Sequence, residues 1–278
     1  MNFTNPEIAT LRDKKLYIFD MDGTIYLGSR IFDFAIRFID HLRASGRRVL
    51  FYTNNASHTT EFYIQKLTRL GFSPTADEIM TSGDVTMEFL LRHRAGKEVY
   101  LVGTDELCEN FRKRGIPLSD GSGKTCDIVV TSFDTSLNYE KLDNACRLVR
   151  NGAEYLSTHP DFNCPTEDGF IPDSGAIAAF VTASTGKVPT YFGKPYRETV
   201  EMIEEATGID RGDMCIFGDR LYTDIALGKR HGVCSVLVLS GETTEEDVTN
   251  AAEADRADYV FPSLAEVDEA MFGENYGI

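Results

Sequence analysis

The sequence has no tryptophan, few histidines and a shortage of basic residues. Lys plus Arg number 28 against 44 Asp plus Glu, a formal charge of −16. A surface of that sign repels nucleic-acid backbones and anionic membranes, so neither is an expected partner. Long apolar runs are missing too. The longest, at residues 176–181 and 236–239, fall far short of the roughly 20 residues that span a bilayer. The first residues, Met1-Asn2-Phe3-Thr4-Asn5-Pro6-Glu7, carry neither the basic start nor the apolar stretch of a secretory signal. The cysteines (Cys108, Cys126, Cys146, Cys164, Cys215 and Cys234) form no C-x-x-C pair and fit no zinc framework. They are expected to be reduced thiols of a cytoplasmic protein. No two histidines have metal-ligand spacing on one element, and His41, His58, His93 and His231 read as structural.

What is present is an ordinary globular balance, 42% apolar and 26% charged, with enough Val, Ile, Leu and Phe to build a core. Leu16-Tyr17-Ile18-Phe19, Val49-Leu50-Phe51-Tyr52, Met214-Cys215-Ile216-Phe217 and residues 236–239 are short continuous apolar runs closed by polar residues or glycine. Such runs predict buried strands of a parallel sheet. Between them lie helical patterns: Ile31, Phe34, Ala35, Phe38, Ile39 and Leu42 follow one stripe, and residues 62–70 and 199–206 give two more. Pro195 is expected just inside the start of the last. Alternation of this kind predicts a doubly wound α/β sheet.

Spacing predicts a second domain. Asp20 to Thr53 is 33 positions and Lys194 to Asp219 is 25, each close to one strand–helix–strand unit. Thr53 to Lys194 is 141 positions, which leaves a surplus of about a hundred residues, enough for a small domain. The surplus has its own strand-like runs at residues 99–102 and 128–130 and its own stripe at Leu142, Cys146 and Val149. The expected division is a core of residues 1–83 plus 186–278 and an insert of residues 84–185.

In an open parallel sheet, ligands bind beyond the carboxyl ends of the strands. The residues there are Asp20 and Asp22, then Thr53, Asn54 and Asn55, then Lys194, and finally Asp219 and Asp224. Several carboxylates at one edge cannot all stay ionised without a cation. A hard divalent ion with oxygen ligands meets that need, and Mg²⁺ is the usual choice where phosphate also binds.

Asp20-Met21-Asp22-Gly23-Thr24, following an apolar strand, resembles the D-x-D-G-T signature of the haloacid dehalogenase (HAD) superfamily of phosphatases. Three further motifs follow in order: Thr53-Asn54-Asn55, Gly193-Lys194-Pro195, and Gly218-Asp219-Arg220 with Thr223-Asp224. Their forms, with the large insertion, are similar to the NagD-like or p-nitrophenylphosphatase-like branch. The resemblance implies a Rossmann-like parallel-sheet core with a large inserted α/β cap domain. It also implies a Mg²⁺-dependent phosphatase acting on a small phosphorylated metabolite through an aspartyl-phosphate.

The same resemblance assigns roles. Asp20 is the expected nucleophile and Asp22 the general acid and then base. The metal is expected on Asp20, Asp219 and the Asp22 carbonyl, with Asp224 holding a metal-bound water. Thr53, Asn54 and Asn55 are expected to donate to the phosphoryl oxygens, and Lys194 to bring positive charge to Asp20 and the phosphate. In the cap, Thr158-His159-Pro160-Asp161 is similar to the branch's T-N-P-D segment, with His in place of Asn. Pro172-Asp173-Ser174-Gly175 resembles its P-G-x-G turn, with Asp in place of the first Gly. His159 and Asp161 are therefore expected at the substrate. Two rivals stay open, a phosphotransferase using the same covalent intermediate and a non-catalytic module that binds a phosphate ligand. A homodimer is open as well.

Overall fold

The computed structural model describes residues 5–28, 30–166 and 169–273. Met1-Asn2-Phe3-Thr4, part of the segment read for a leader, lie outside them. Two compact units emerge. One comprises Met1–Tyr52, Tyr63–Met80 and Ile203–Ile278, and the other Thr53–Phe62 and Thr81–Met202.

The first unit is built on a six-stranded sheet. In spatial order its strands are Tyr259–Phe261, Cys234–Val238, Met214–Gly218, Leu16–Phe19, Arg48–Thr53 and Ile79–Thr81. Leu16–Phe19 pairs in parallel on both sides, Leu16 lying opposite Met214 and Arg48. All four of its side chains are buried, which is why the strand reads as an unbroken apolar run rather than an alternating one. The helix Asp33–Ala44 buries Ala35, Phe38, Ile39 and Leu42, as its stripe predicts. The Phe38 ring meets Phe19 edge-on at 5.9 Å, while Phe19 stacks on Phe217 at 4.8 Å. Strand order reverses at Leu16–Phe19, since the chain next adds strands on one side and later returns to the other. The residue after this strand, Asp20, therefore stands at the topological switch point.

The second unit has its own parallel sheet, in the order Thr190–Tyr191, Glu154–Ser157, Ile128–Thr131 and Val99–Val102. The helices Tyr139–Arg150 and Ser174–Thr185 contribute Cys146, Val149 and Val181 to a core with Val102, Val129 and Tyr155. A two-stranded antiparallel ribbon, Asn163–Thr166 with Gly169–Pro172, follows the strand Glu154–Ser157 along the chain. The insert expected at residues 84–185 lies wholly within this unit, which also takes in residues 53–62, 81–83 and 186–202. For the residues after 185 the reason is long-range pairing: Thr190–Tyr191 adds a strand beside Glu154–Ser157.

One expectation fails locally. The helix near residue 199 runs Arg197–Thr207, so Pro195 precedes it, and Lys194 does not stand at its start. No helix among the described residues is long and apolar enough to cross a membrane.

Candidate active site

Three carboxylates meet in the first unit. Asp20 extends the central ladder, its N–H donating to Phe217 O at 2.8 Å. Asp219 follows the strand Met214–Gly218, and Asp224 sits in a single π-helical turn, Leu221–Ile225. Such turns are rare and recur at functional sites. One oxygen from each of Asp20, Asp219 and Asp224 lies within 4.8 Å of the others. Asp219 and Asp224 are only 2% and 0% exposed. Asp219 Oδ2 accepts from Glu242 N at 2.7 Å, and Asp224 Oδ2 from Arg220 N and Thr223 Oγ1, each at 3.3 Å. Backbone presses on the group. A Cβ at Gly23 would stand 2.3 Å from Asp219 Oδ2 and one at Gly241 2.0 Å from it, so only glycine fits either place. Ser240 Oγ donates to Gly23 O at 2.8 Å and ties these two turns together.

Three acidic oxygens gathered in a cradle of glycine backbone fit a hard divalent cation, which takes oxygen ligands and little else. The carboxylate of Asp22 is not one of the three. Asp22 is exposed and lies in the turn after Asp20, its backbone bridging to Tyr26.

The second unit holds the other motif residues. Thr53 ends its strand, and its Oγ1 accepts from Asn55 N at 3.2 Å, which leaves the hydroxyl proton for a further acceptor. Asn55 Oδ1 accepts from Ser57 N at 2.9 Å and Ser57 Oγ at 2.6 Å, closing a tight turn. Asn54 departs from expectation. Its Oδ1 accepts from Lys194 N at 2.8 Å, and its Nδ2 donates to Lys194 O at 3.0 Å and to Asp161 Oδ2 at 3.1 Å. Both amide hydrogens are thus engaged within the protein, and the side chain has none to give a phosphoryl oxygen. Lys194 itself is 2% exposed.

His159 also departs from expectation. It is 0% exposed and presents no surface to a substrate. Its Nε2 lies 2.8 Å from Asp173 Oδ1, and its Nδ1 lies 3.0 Å from Thr158 Oγ1 and 3.3 Å from Ser82 Oγ. Burial opposes charge on the ring, but the Asp173 carboxylate, with a smaller push from Asp161, raises its pKa above the ordinary value. Asp161, partly buried, faces Asn54.

Residues 17–117 match the family described as haloacid dehalogenase-like hydrolase, and residues 191–267 the one described as HAD-hydrolase-like. An acid sugar phosphatase of Staphylococcus saprophyticus is 35% identical over 257 residues, covering 92% of this chain and 98% of that protein. The chain belongs to the haloacid dehalogenase-like hydrolases. Among solved structures, a 4-nitrophenylphosphatase from Thermotoga maritima superposes with a TM-score of 0.88 at 40% identity, over 94% of this chain and 99% of that one. NagD from Escherichia coli does so with a TM-score of 0.83 at 28% identity, over 91% and 98%. This HAD member is NagD-like and a phosphatase, that is, a phosphoric monoester hydrolase, and its two parallel sheets are those of a Rossmann-like core with a cap.

Sequence reasoning passed over several groups beside the acidic cluster of this HAD phosphatase. Burial disfavours charge on the Arg220 guanidinium, yet Asp20, with Tyr222, Asp219 and Glu242, holds it protonated more firmly than a free arginine. Arg220 Nε lies 2.9 Å from Glu242 Oε2, and Tyr222 OH donates to Glu242 Oε1 at 2.9 Å. Arg220 was legible as a member of the fourth motif, whereas Tyr222 falls on one of its two unspecified positions. Glu242 was legible only as the acidic residue after Ser240-Gly241 at a strand end. Lys66 Nζ lies 4.0 Å from the centroid of the Tyr26 ring. Burial lowers its pKa while Asp22 draws it back up. On a helix, Lys66 reads as an ordinary surface lysine, and nothing in its spacing marks it.

Proposed function

We propose that the protein hydrolyses a small phosphate monoester, such as a sugar phosphate or a nucleoside monophosphate, with Mg²⁺ and through an aspartyl-phosphate. The observation that carries this is the convergence of Asp20, Asp219 and Asp224 within 4.8 Å at strand ends. The name of the staphylococcal relative, an acid sugar phosphatase, favours sugar phosphates within the class.

Asp20 attacks phosphorus as its carboxylate, forming the P–O bond to its own oxygen while the bond to the ester oxygen breaks. Asp22, exposed in the adjoining turn, gives its proton to the departing alkoxide. It then takes a proton from water, which attacks the acyl phosphate, releases inorganic phosphate and returns Asp20 to a carboxylate. Thr53 donates its remaining hydroxyl proton to a phosphoryl oxygen, with Asn55 beside it, and Lys194 supplies a fixed positive charge. Bound by Asp20, Asp219 and the Asp22 carbonyl, with Asp224 holding one of its waters, Mg²⁺ would supply positive charge against that building up on the phosphoryl oxygens. The cysteines being free thiols supports a cytoplasmic setting.

A panel of sugar phosphates, nucleoside monophosphates and 4-nitrophenyl phosphate, assayed with purified protein and Mg²⁺, tests this reading. Turnover of at least one natural ester is expected, with free phosphate as the sole phosphorylated product. Transfer of the phosphoryl group to an added alcohol in preference to water would overturn hydrolysis, and silence across the panel would overturn the substrate class.

A further inference from the structure

The Asn54 side chain makes an unusual grip. Its two ends close a ring on the backbone of one residue, Oδ1 taking the N–H of Lys194 at 2.8 Å and Nδ2 giving to the C=O at 3.0 Å. Two bonds at opposite edges of one residue fix its rotation as well as its position. The preceding residue leaves no slack. A Cβ at Gly193 would fall 2.8 Å from Asn54 Oδ1, 2.8 Å from His159 Cβ and 3.0 Å from Thr158 O, and Gly193 has φ +76°. The turn bearing Lys194 is therefore seated against both Asn54 and the loop at residues 158–161.

The amide could in principle be turned end for end. Asp161 decides which way it lies. An ionised carboxylate only accepts hydrogen bonds, so Asp161 Oδ2, 3.1 Å from Nδ2, demands the NH₂ end. A reversed amide would set oxygen against carboxylate and NH₂ against the Lys194 N–H, two repulsive contacts in a site only 6% exposed at Asn54. Asp161 is in turn held by the helix Ser174–Thr185, where Gly175 N donates to Asp161 O at 2.8 Å. From behind, Ser82 Oγ donates to the Asn54 carbonyl.

With Lys194 serving the phosphoryl group as proposed above, we infer that Asn54 is a positioning residue that aims Lys194 through its backbone, and that Asp161 sets the Asn54 amide instead of reading the substrate. The cap segment at residues 158–161 then acts on the rate through Lys194, equally for every ester.

The test is a double-mutant cycle on 4-nitrophenyl phosphate and two sugar phosphates with Mg²⁺, using Asn54→Ala, Lys194→Ala and the pair. Asn54→Ala is expected to lower kcat about tenfold to a hundredfold with KM little changed, and by the same factor for each ester. In the Lys194→Ala background the same change is expected to cost less than about twofold, because nothing remains to be aimed. Losses that multiply in full would make Asn54 an independent ligand contact and overturn the inference. So would an Asn54→Ala enzyme of wild-type rate beside an inactive Lys194→Ala. A Lys194→Ala enzyme that keeps more than about a tenth of the rate would instead remove the role proposed for Lys194, a distinguishable failure. Should Asn54→Ala not fold, Asp161→Asn, nearly the same in volume, runs the same cycle. A uniform loss of about threefold to tenfold that vanishes with Lys194→Ala supports the inference, and a changed ranking among the esters overturns it.

Discussion

His159 and Asp173 form a buried pair whose removal has a calculable cost. The hydrogen bonds around the ring favour a charge on it. Thr158 Oγ1 donates to Ser132 Oγ at 3.0 Å, and Ser82 Oγ donates to Asn54 O. Each hydroxyl has one proton, so with both given elsewhere their lone pairs face Nδ1 and favour hydrogen on it. Nε2 faces the Asp173 carboxylate at 2.8 Å and carries hydrogen too. The Asp173 carboxylate, which raises the ring's pKa against the opposing effect of burial, favours the imidazolium. Asp173 also caps the helix Ser174–Thr185, accepting from Ser174 N. Taking away one member of a buried ion pair costs about 3–5 kcal/mol because the other charge stays behind. His159→Asn or Asp173→Gly alone is therefore expected to lower the melting temperature by roughly 10 °C. The double change His159→Asn/Asp173→Gly removes both charges and keeps a tolerated helix cap. It should melt closer to wild type than either single variant. The pH dependence has a definite sign. Because the folded pKa lies above the unfolded value of about 6.5, the pair contributes fully below that value. Its contribution fades as pH rises through the raised folded pKa. The gap in melting temperature between wild type and His159→Asn, followed by circular dichroism from pH 6 to pH 10, should thus narrow as pH rises. A gap that is constant with pH, or single variants that melt with wild type, would refute the charged pair.

The acidic cluster yields three further expectations. Asp20→Asn should fold normally and lose at least about a hundredfold in turnover, since an amide of the same shape is a poor nucleophile; stopped assays on 4-nitrophenyl phosphate read this directly. Excess chelator should abolish activity and Mg²⁺ restore it, and Asp219→Ala should raise the Mg²⁺ needed for half-maximal rate by at least tenfold, given that losing outer partners of metal ligands alone costs about 10–100-fold. Full activity in chelator, with no metal found by elemental analysis, would count against the metal. Gly241→Ala would put a Cβ 2.0 Å from Asp219 Oδ2, and overpacking of that kind costs about 1–3 kcal/mol. A loss of roughly tenfold or more in Mg²⁺ affinity is expected, measured by titration calorimetry, whereas an unchanged affinity would show that Asp219 moves without cost.

Where the sequence was legible, each element announced itself locally. Leu16–Phe19 and Val99–Val102 fall on their apolar runs end for end, since burial on both faces leaves no polar residue to blur them. The three carboxylates were legible because a parallel sheet aligns its strand ends, so that Asp20 and Asp219, 199 positions apart in the chain, become neighbours once Leu16 lies opposite Met214. The start of the helix Arg197–Thr207 was not legible. Pro195 is a sound local signal for a first helical turn, but the backbone N–H and C=O of Lys194 are claimed by Asn54, 140 residues earlier. No window of sequence holds both partners.

The same limit explains the fate of His159. Its departure from the branch's pattern, and that of Asp173, were each visible alone, and a histidine beside an expected substrate loop invites a binding role. The structure makes the two departures one, an ion pair 14 residues apart in sequence and buried from solvent. A cation introduced without its anion would leave an unpaired buried charge, as would the anion without its cation. Neither replacement is a specificity change in isolation. A motif names residue types at positions and is silent on where their atoms point. Asn54 fits the phosphate-binding motif by name, yet it gives both its amide hydrogens to Lys194 and Asp161. For a polar side chain at such a site, the hydrogens already committed within the protein decide what it can still do for a ligand.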